Sequence, residues 1–276
     1  MYAHELTELG NIYDEANALY KLIPDEADYA AKPSHHSEGV SVWLVSHNKE
    51  SNVTKISSTA RQLKADEENE FDKMKVANSL TQHLHAEAAS DESLILRGVK
   101  PGIIVEERFV EVDHFDRGPI EFNCFVIWGR IWVILMINIE DDLRYANTWL
   151  HRDGTQIHGK EERPAELDYI DLSRVIEIAE TLGRNKDMLR VDIFVGLPAG
   201  SPALKPGATR EERLAAVEYA VNECEIYPTT SFMYWPQLAQ DGARLWVAGY
   251  KMGNYRTIPN DEIPKEFLEH GALPAV

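Results

Sequence analysis

The chain reads as an α+β protein with antiparallel sheets. Residues 120–139, IEFNCFVIWGRIWVILMINI, are almost continuously apolar and break only at Gly129-Arg130, the pattern of two buried strands joined by a tight turn. The segments LRVDIF and YAVNECEIYP, at 189–194 and 219–228, are rich in β-branched and apolar residues and read as two more strands. Helical patterns occupy 5–22, 56–90 and 168–182.

Taken in order, residues 5–22 carry a weak helical period that ends near Ile23-Pro24. DYAAKPSHHSEGVSVWLV then spells a short strand, a polar turn and a second strand near 40–45. Lys32 ends the first of these strands, where it can present an amine to a phosphate beside backbone N–H groups. The adjacent His35 and His36 read as solvent-facing turn residues. Residues 56–90 lack Gly and Pro and are Ala-rich, so they read as helix, with ADEENEFDKMK as its solvated face. In GVKPGIIVEERFVEV the IIV run is a buried strand, and Glu106 and Glu107 stand where it leaves the core. Glu121 is the polar exception at the start of the apolar hairpin. The stretch IEDDLRYANTWLHRDGTQIH reads as irregular and as a wall for a second substrate, and DYIDLSRVIEIAETL as an amphipathic helix closed by Gly183. A Pro/Gly-rich excursion with a short helix separates the last two strands, and RLWVAGYK in the tail reads as a strand. There is no internal repeat and no linker that divides the chain.

Residues two apart on a strand share a face, so Arg190 projects with Asp192, and Glu223 with Glu225, while Cys224 turns away. If the two strands pair, three carboxylates and one guanidinium meet on one surface. Like charges this close raise one another's pKa and call for a cation, either a hard divalent ion with oxygen ligands or the guanidinium itself in a salt-bridged sheet face. Both readings are open on spacing alone.

Composition narrows the function classes. With 28 basic and 46 acidic residues the net charge is −18, which disfavours nucleic acid as a partner. Two isolated cysteines, Cys124 and Cys224, show neither a disulfide framework nor zinc-ligand spacing and suit a reducing, cytoplasmic compartment. The first residues, MYAHELTELG, lack the basic and apolar regions of a signal peptide, and Gly129-Arg130 interrupts the most apolar run, so no membrane span is expected.

Five segments in order, AAKPSHHSEGV, VKPGIIVEERF, EFNCFVIWGR, LRVDIF and NECEIYPTTSF, give the chain a resemblance to the ATP-grasp superfamily, in particular its TupA-like branch, over roughly residues 8–235. The resemblance implies an ATP-grasp-like domain over 1–235, with two α+β subdomains (roughly 24–107 and 108–235) whose antiparallel sheets clasp a nucleotide, and a C-terminal extension over 236–276. It implies that Lys32 contacts the nucleotide phosphates and that Ser34, Ser37 and Gly39 belong to the loop covering them. Glu106 and Glu107, with the backbone of Arg108 and Phe109, would hold adenine, and Glu121 the ribose. Arg190 would steady the developing acyl phosphate, and Asp192, Glu223 and Glu225 would be the Mg²⁺ ligands. The sequence departs from the family pattern in three places. The loop after Lys32 has one glycine where the family has two or more, PTTSF stands where a glycine turn is usual, and no second phosphate-binding lysine precedes Lys32, which implies a shortened pre-grasp region.

The implied activity is an ATP- and Mg²⁺-dependent carboxylate–amine ligase, with an amino acid or uronic acid among its substrates. The alternatives are a phosphotransferase on the same fold and a nucleotide-binding subunit without turnover. Neither the acid and amine nor the oligomeric state follows from the sequence.

Overall fold

A computed structural model describes residues 12–25, 28–36, 41–48, 53–58, 69–70, 72–86, 101–112, 118–139, 145–157, 164–202, 204–205, 207–226 and 235–251. The protein is mixed α+β, with two sheets built on antiparallel strand pairs. It divides into two compact units, Met1–Val110 with Pro198–Ala203, and Glu111–Leu197 with Leu204–Val276.

The first unit holds α1 (Ile12–Leu22), β1 (Tyr29–Pro33), β2 (Trp43–Asn48), β3 (Val53–Ser58), β4 (Asn69–Glu70), α2 (Lys73–Leu84), β5 (Ile103–Glu107) and the two-residue β6 (Phe109–Val110). The sheet order is β4-β3-β2-β1-β5. One sheet face meets the helices: Tyr29, Ala31 and Val45 are buried with Leu19 and Ile23 near α1 and with Val76, Ala77 and Leu80 of α2. Asp72 starts α2 by accepting hydrogen bonds from the Met74 and Lys75 amides, both at 3.0 Å, which satisfies two otherwise free helix donors. Strand alternation then puts Ala30 and Lys32 on the opposite face, beside Glu106 of β5.

The second unit holds β7 (Ile120–Ile127), β8 (Arg130–Ile139), β9 (Tyr145–Leu150), a 3₁₀ turn (Ala165–Asp168), α3 (Leu172–Leu182), β10 (Met188–Pro198), α4 (Arg210–Ala216), β11 (Glu218–Glu225) and α5 (Pro236–Lys251). Its strands lie in the order β11-β10-β7-β8-β9. The hairpin turn is Trp128-Gly129, with φ of 52° and 76°. Two positive φ values match the twist of the flanking strands, and glycine takes one without cost. Phe122, Cys124, Ile134, Met136, Val191 and Ile193 fill one sheet face, against which α3 brings buried Val175 and Ala179. Between Asp192-Ile193 and their partners the register shifts: Asp192 faces Glu223 and Ile193 faces Val221, so Asn222 is the extra residue of a β-bulge.

Helix α5 lies against the hairpin turn. Trp128 Nε1 donates to the Trp246 carbonyl at 2.8 Å, and Trp246 Nε1 donates to Asp187 at 3.2 Å. Gly242 and Gly249, two turns apart on one side of the helix, are pressed on Trp132 and Trp128.

Several expectations are corrected. The second strand runs 43–48 and not 40–45. Part of the 56–90 helix is strand, in β3 and β4, and the helix begins only at Lys73. Val53, Thr54 and Ile56 are β-branched, and pairing with β2 extends the chain there. The stretch read as irregular contains β9, which is held by its ladder to β8. The 168–182 helix is a 3₁₀ turn followed by α3. RLWVAGYK is helical and belongs to α5. The PTTSF turn, the loop positions Ser37 and Gly39, and the tail after 251 lie outside the described residues.

Candidate functional site

The two strands singled out in the sequence do pair. Arg190 of β10 lies opposite Glu225 of β11, and Asp192 opposite Glu223. Arg190 donates from Nε and Nη2 to the two carboxylate oxygens of Asp192, each at 2.8 Å, and its Nη1 meets Glu225. This fork geometry is the strong form of the guanidinium–carboxylate bond. Asp192 is 1% exposed and Glu225 9%, whereas Glu223 stands in solvent. Burial alone would lower the Arg190 pKa. The Asp192 hydrogen bonds and charge, with the charges of Glu225 and Glu223, outweigh it and raise the pKa above the ordinary arginine value.

On the other side of β10, Asp192 faces Asn123 and Phe194 faces Glu121, both from β7. Glu121 therefore joins the same face. Burial first, and then the Asp192 charge, lift its pKa to about 7, while Arg190 and the Asn123 side chain hold it down. Asn123 donates to Glu121 at 3.4 Å, and its own buried Oδ1 has no hydrogen-bond partner among the described residues. Asn123 escaped the sequence reading, although a lone amide two residues from Glu121 in an apolar strand was a usable signal. Cys224 pairs with Val191 and so turns to the other face, as expected; Cys124, opposite Val191 on the β7 side, lies on that face too, and burial pushes its thiol pKa up.

The raised Glu121 pKa has a testable sign. Its folded value lies above the ordinary 4.5, so the neutral carboxyl favours the folded state fully below about 4.5 and this contribution is lost as pH rises through about 7. Glu121→Gln should therefore stabilise the protein by about 3 kcal/mol at pH 8 and by almost nothing at pH 4.5, as read by urea denaturation at both. Equal effects at the two pH values would contradict a buried, proton-holding carboxyl.

The first unit brings together another set of expected residues. Lys32 Nζ and Glu106 form a 2.7 Å ion pair on the sheet face away from the helices, and Glu107 is exposed. The Ser34 amide donates to Gly102 at 2.8 Å. Arg108 is already engaged through its backbone. Its N–H donates to Asp28 at 3.4 Å, its carbonyl accepts from Ala199 at 2.8 Å, and its guanidinium reaches Ser46. A purine edge would have to use the peptide groups around it. His35 corrects the solvent-facing expectation: it is 5% exposed, because the chain after β1 folds back onto the end of α2.

Whether the acidic face suits magnesium can be judged from its donors. Among the described residues no group of three acidic, histidine or cysteine side chains is arranged to hold an ion. Magnesium does not require such a cage, since it commonly binds through one or two carboxylates, waters and substrate phosphates. The oxygen donors of Asp192, Glu223 and Glu225, the orphaned Asn123 Oδ1 and the proton affinity of Glu121 fit that chemistry.

No family model matches the chain, and no similar protein is found among curated proteins or solved structures. Among the described residues, no helix is long and apolar enough to cross a membrane.

Proposed function

We propose that the chain is an ATP-dependent carboxylate–amine ligase of the ATP-grasp type. The observation that carries this reading is the Arg190 fork on Asp192 and Glu225, flanked on one sheet face by Glu223 and Glu121. A guanidinium held this firmly costs little reorganisation when charge develops on a phosphoryl group. Lys32, paired with Glu106 within the first unit, would supply a cation for phosphate.

In the reaction, a substrate carboxylate oxygen bonds to the γ-phosphorus as the bond to the β,γ-bridging oxygen breaks. ADP leaves, and an acyl phosphate forms. The amine then attacks the acyl carbon, phosphate departs, and the nitrogen loses a proton to give the amide. Asp192, Glu223 and Glu225 would hold magnesium, which supplies neutralisation of phosphate charge when bound. Arg190 would steady the transferred phosphoryl group, Lys32 would contact phosphate, and Glu121 would contact the ribose. No side-chain nucleophile is needed, so the protein acts by positioning and electrostatics.

Glu223→Gln is the clean test. The residue is exposed, so its effect on folding should stay within about 0.5 kcal/mol. With ATP at a hundredfold excess over its dissociation constant, the wild type should gain about 2.7 kcal/mol of stability, dependent on Mg²⁺. The variant should lose that gain and slow ADP release at least about a hundredfold, across a panel of amino and uronic acids with amines. Undiminished ADP release in Glu223→Gln would sink the assignment of this carboxylate. No melting shift at millimolar ATP would sink the nucleotide reading itself.

A second reading, a nucleotide-binding subunit without turnover, draws on the occupied peptide groups of Arg108. It expects the Mg²⁺-dependent shift without ADP release. ADP release that does not depend on amine would instead mark a phosphotransferase.

A further inference from the structure

Three imidazoles gather in the first unit. The His35 and His36 rings are 4.4 Å apart between centroids, and His36 lies edge-on to His83 at 5.6 Å. His36 Nε2 donates to the His83 carbonyl at 2.9 Å, which ties the chain just after β1 to the last turn of α2. His35 is buried, and neither of its ring nitrogens has a hydrogen-bond partner of good geometry among the described residues.

We infer that His35, His36 and His83 form an acid-released clasp: neutral, their rings pin the chain following β1 to the end of α2, and proton uptake lets it go. Two or three imidazolium charges cannot share this space at the present separations without strong repulsion. Burial and then the neighbouring His36 lower the pKa of both His35 and His83, and the carbonyls of Ala86 and His83 pull His35 back only in part. Neighbouring charged groups among the described residues are paired. His85, which caps α2, pairs with Glu15 of α1, and Lys32 of β1 with Glu106 of β5.

The sign follows from linkage. His35 and His83 are bases whose closed-state pKa lies below the open-state value, so the closed form is favoured above about pH 6.5 and loses ground as pH falls. For each extra proton the open form binds, the opening equilibrium rises about tenfold per pH unit. The clasp stands on the histidines alone. Its bearing on phosphate binding, through Ser34 beside it, rests on the proposed function.

The test is backbone amide exchange on the full chain without nucleotide, between pH 7.5 and 5, corrected for the intrinsic rate. The Ser34 amide, hydrogen-bonded to Gly102, is the reporter. Opening should rise up to about tenfold per pH unit in the wild type, and less steeply in His83→Gln. His35→Phe, which keeps a ring and loses the titration, provides a second variant should the first misfold. A flat profile in the wild type, or an unchanged slope in both variants, would overturn the clasp. Because no nucleotide is present, either result leaves the ligase reading to be decided separately, by the ATP melting shift.

Discussion

Arg190→Met is expected to destabilise the second unit by about 3–5 kcal/mol at neutral pH, the cost of leaving buried carboxylates without their partner. Asp192 and Glu225 are both nine-tenths or more buried and both lean on this guanidinium, and Glu121 adds a third acid on the same face. Methionine fills a similar volume, so the loss reports charge and not a cavity. The unpaired acids can then escape only by taking up protons. The deficit should accordingly shrink when urea denaturation is repeated at pH 4.5. Adding Asp192→Asn to the Arg190→Met variant should recover more than about 1 kcal/mol, because contacting residues couple. A loss below about 1 kcal/mol would mean that water solvates these carboxylates and that the fork is an ordinary surface pair.

Gly249→Ala is the second large effect, and its expected sign runs against helix propensity. Alanine in place of glycine inside a helix ordinarily gains up to about 1 kcal/mol. Here a Cβ at 249 would lie 1.9 Å from Trp128 Nε1 and 2.2 Å from Cδ1, and the indole is already held by its bond to the Trp246 carbonyl and by edge contact with Tyr250. Gly242 is pinched in the same way, 2.6 Å from the Trp132 ring. Overpacking of this kind costs about 1–3 kcal/mol per site. The Gly242→Ala/Gly249→Ala double variant should therefore melt at lower temperature and lose near-ultraviolet circular dichroism as the tryptophans are released. A raised melting temperature with an unchanged spectrum would show that α5 does not dock through its glycines.

These two cases also mark where the sequence was readable. Arg190, Asp192, Glu223 and Glu225 were found because strand alternation is local: two residues apart means one face, whatever the sheet does elsewhere. The apolar hairpin, β1, β5 and α1 were legible for the same reason, each carrying its own period. What failed depended on partners distant in the chain. Residues 53–58 are extended by β2, and 145–150 by β8, although the flanking residues are polar. In α5 the sequence RLWVAGYK reads as a strand, and the two glycines, which weaken a helix locally, sit where indole rings occupy the space a Cβ would fill. Asn123 joined the acidic face only once β7 was known to lie beside β10. The burial of His35 depended on α2 ending where it does.

The bulge at Asn222 has a further consequence. Unbroken alternation would place Tyr219, Val221, Glu223 and Glu225 on one side of β11. The extra residue lets the strand change sides, so that Val221 pairs with Ile193 toward the apolar layer while Glu223 pairs with Asp192 on the acidic one. Among the described strands β11 also ends the order of its sheet. An outermost strand that is kinked and studded with acids is a poor template for a neighbouring molecule's strand. The same single residue that sorts two chemistries to two sides thus guards the protein against edge-to-edge self-association.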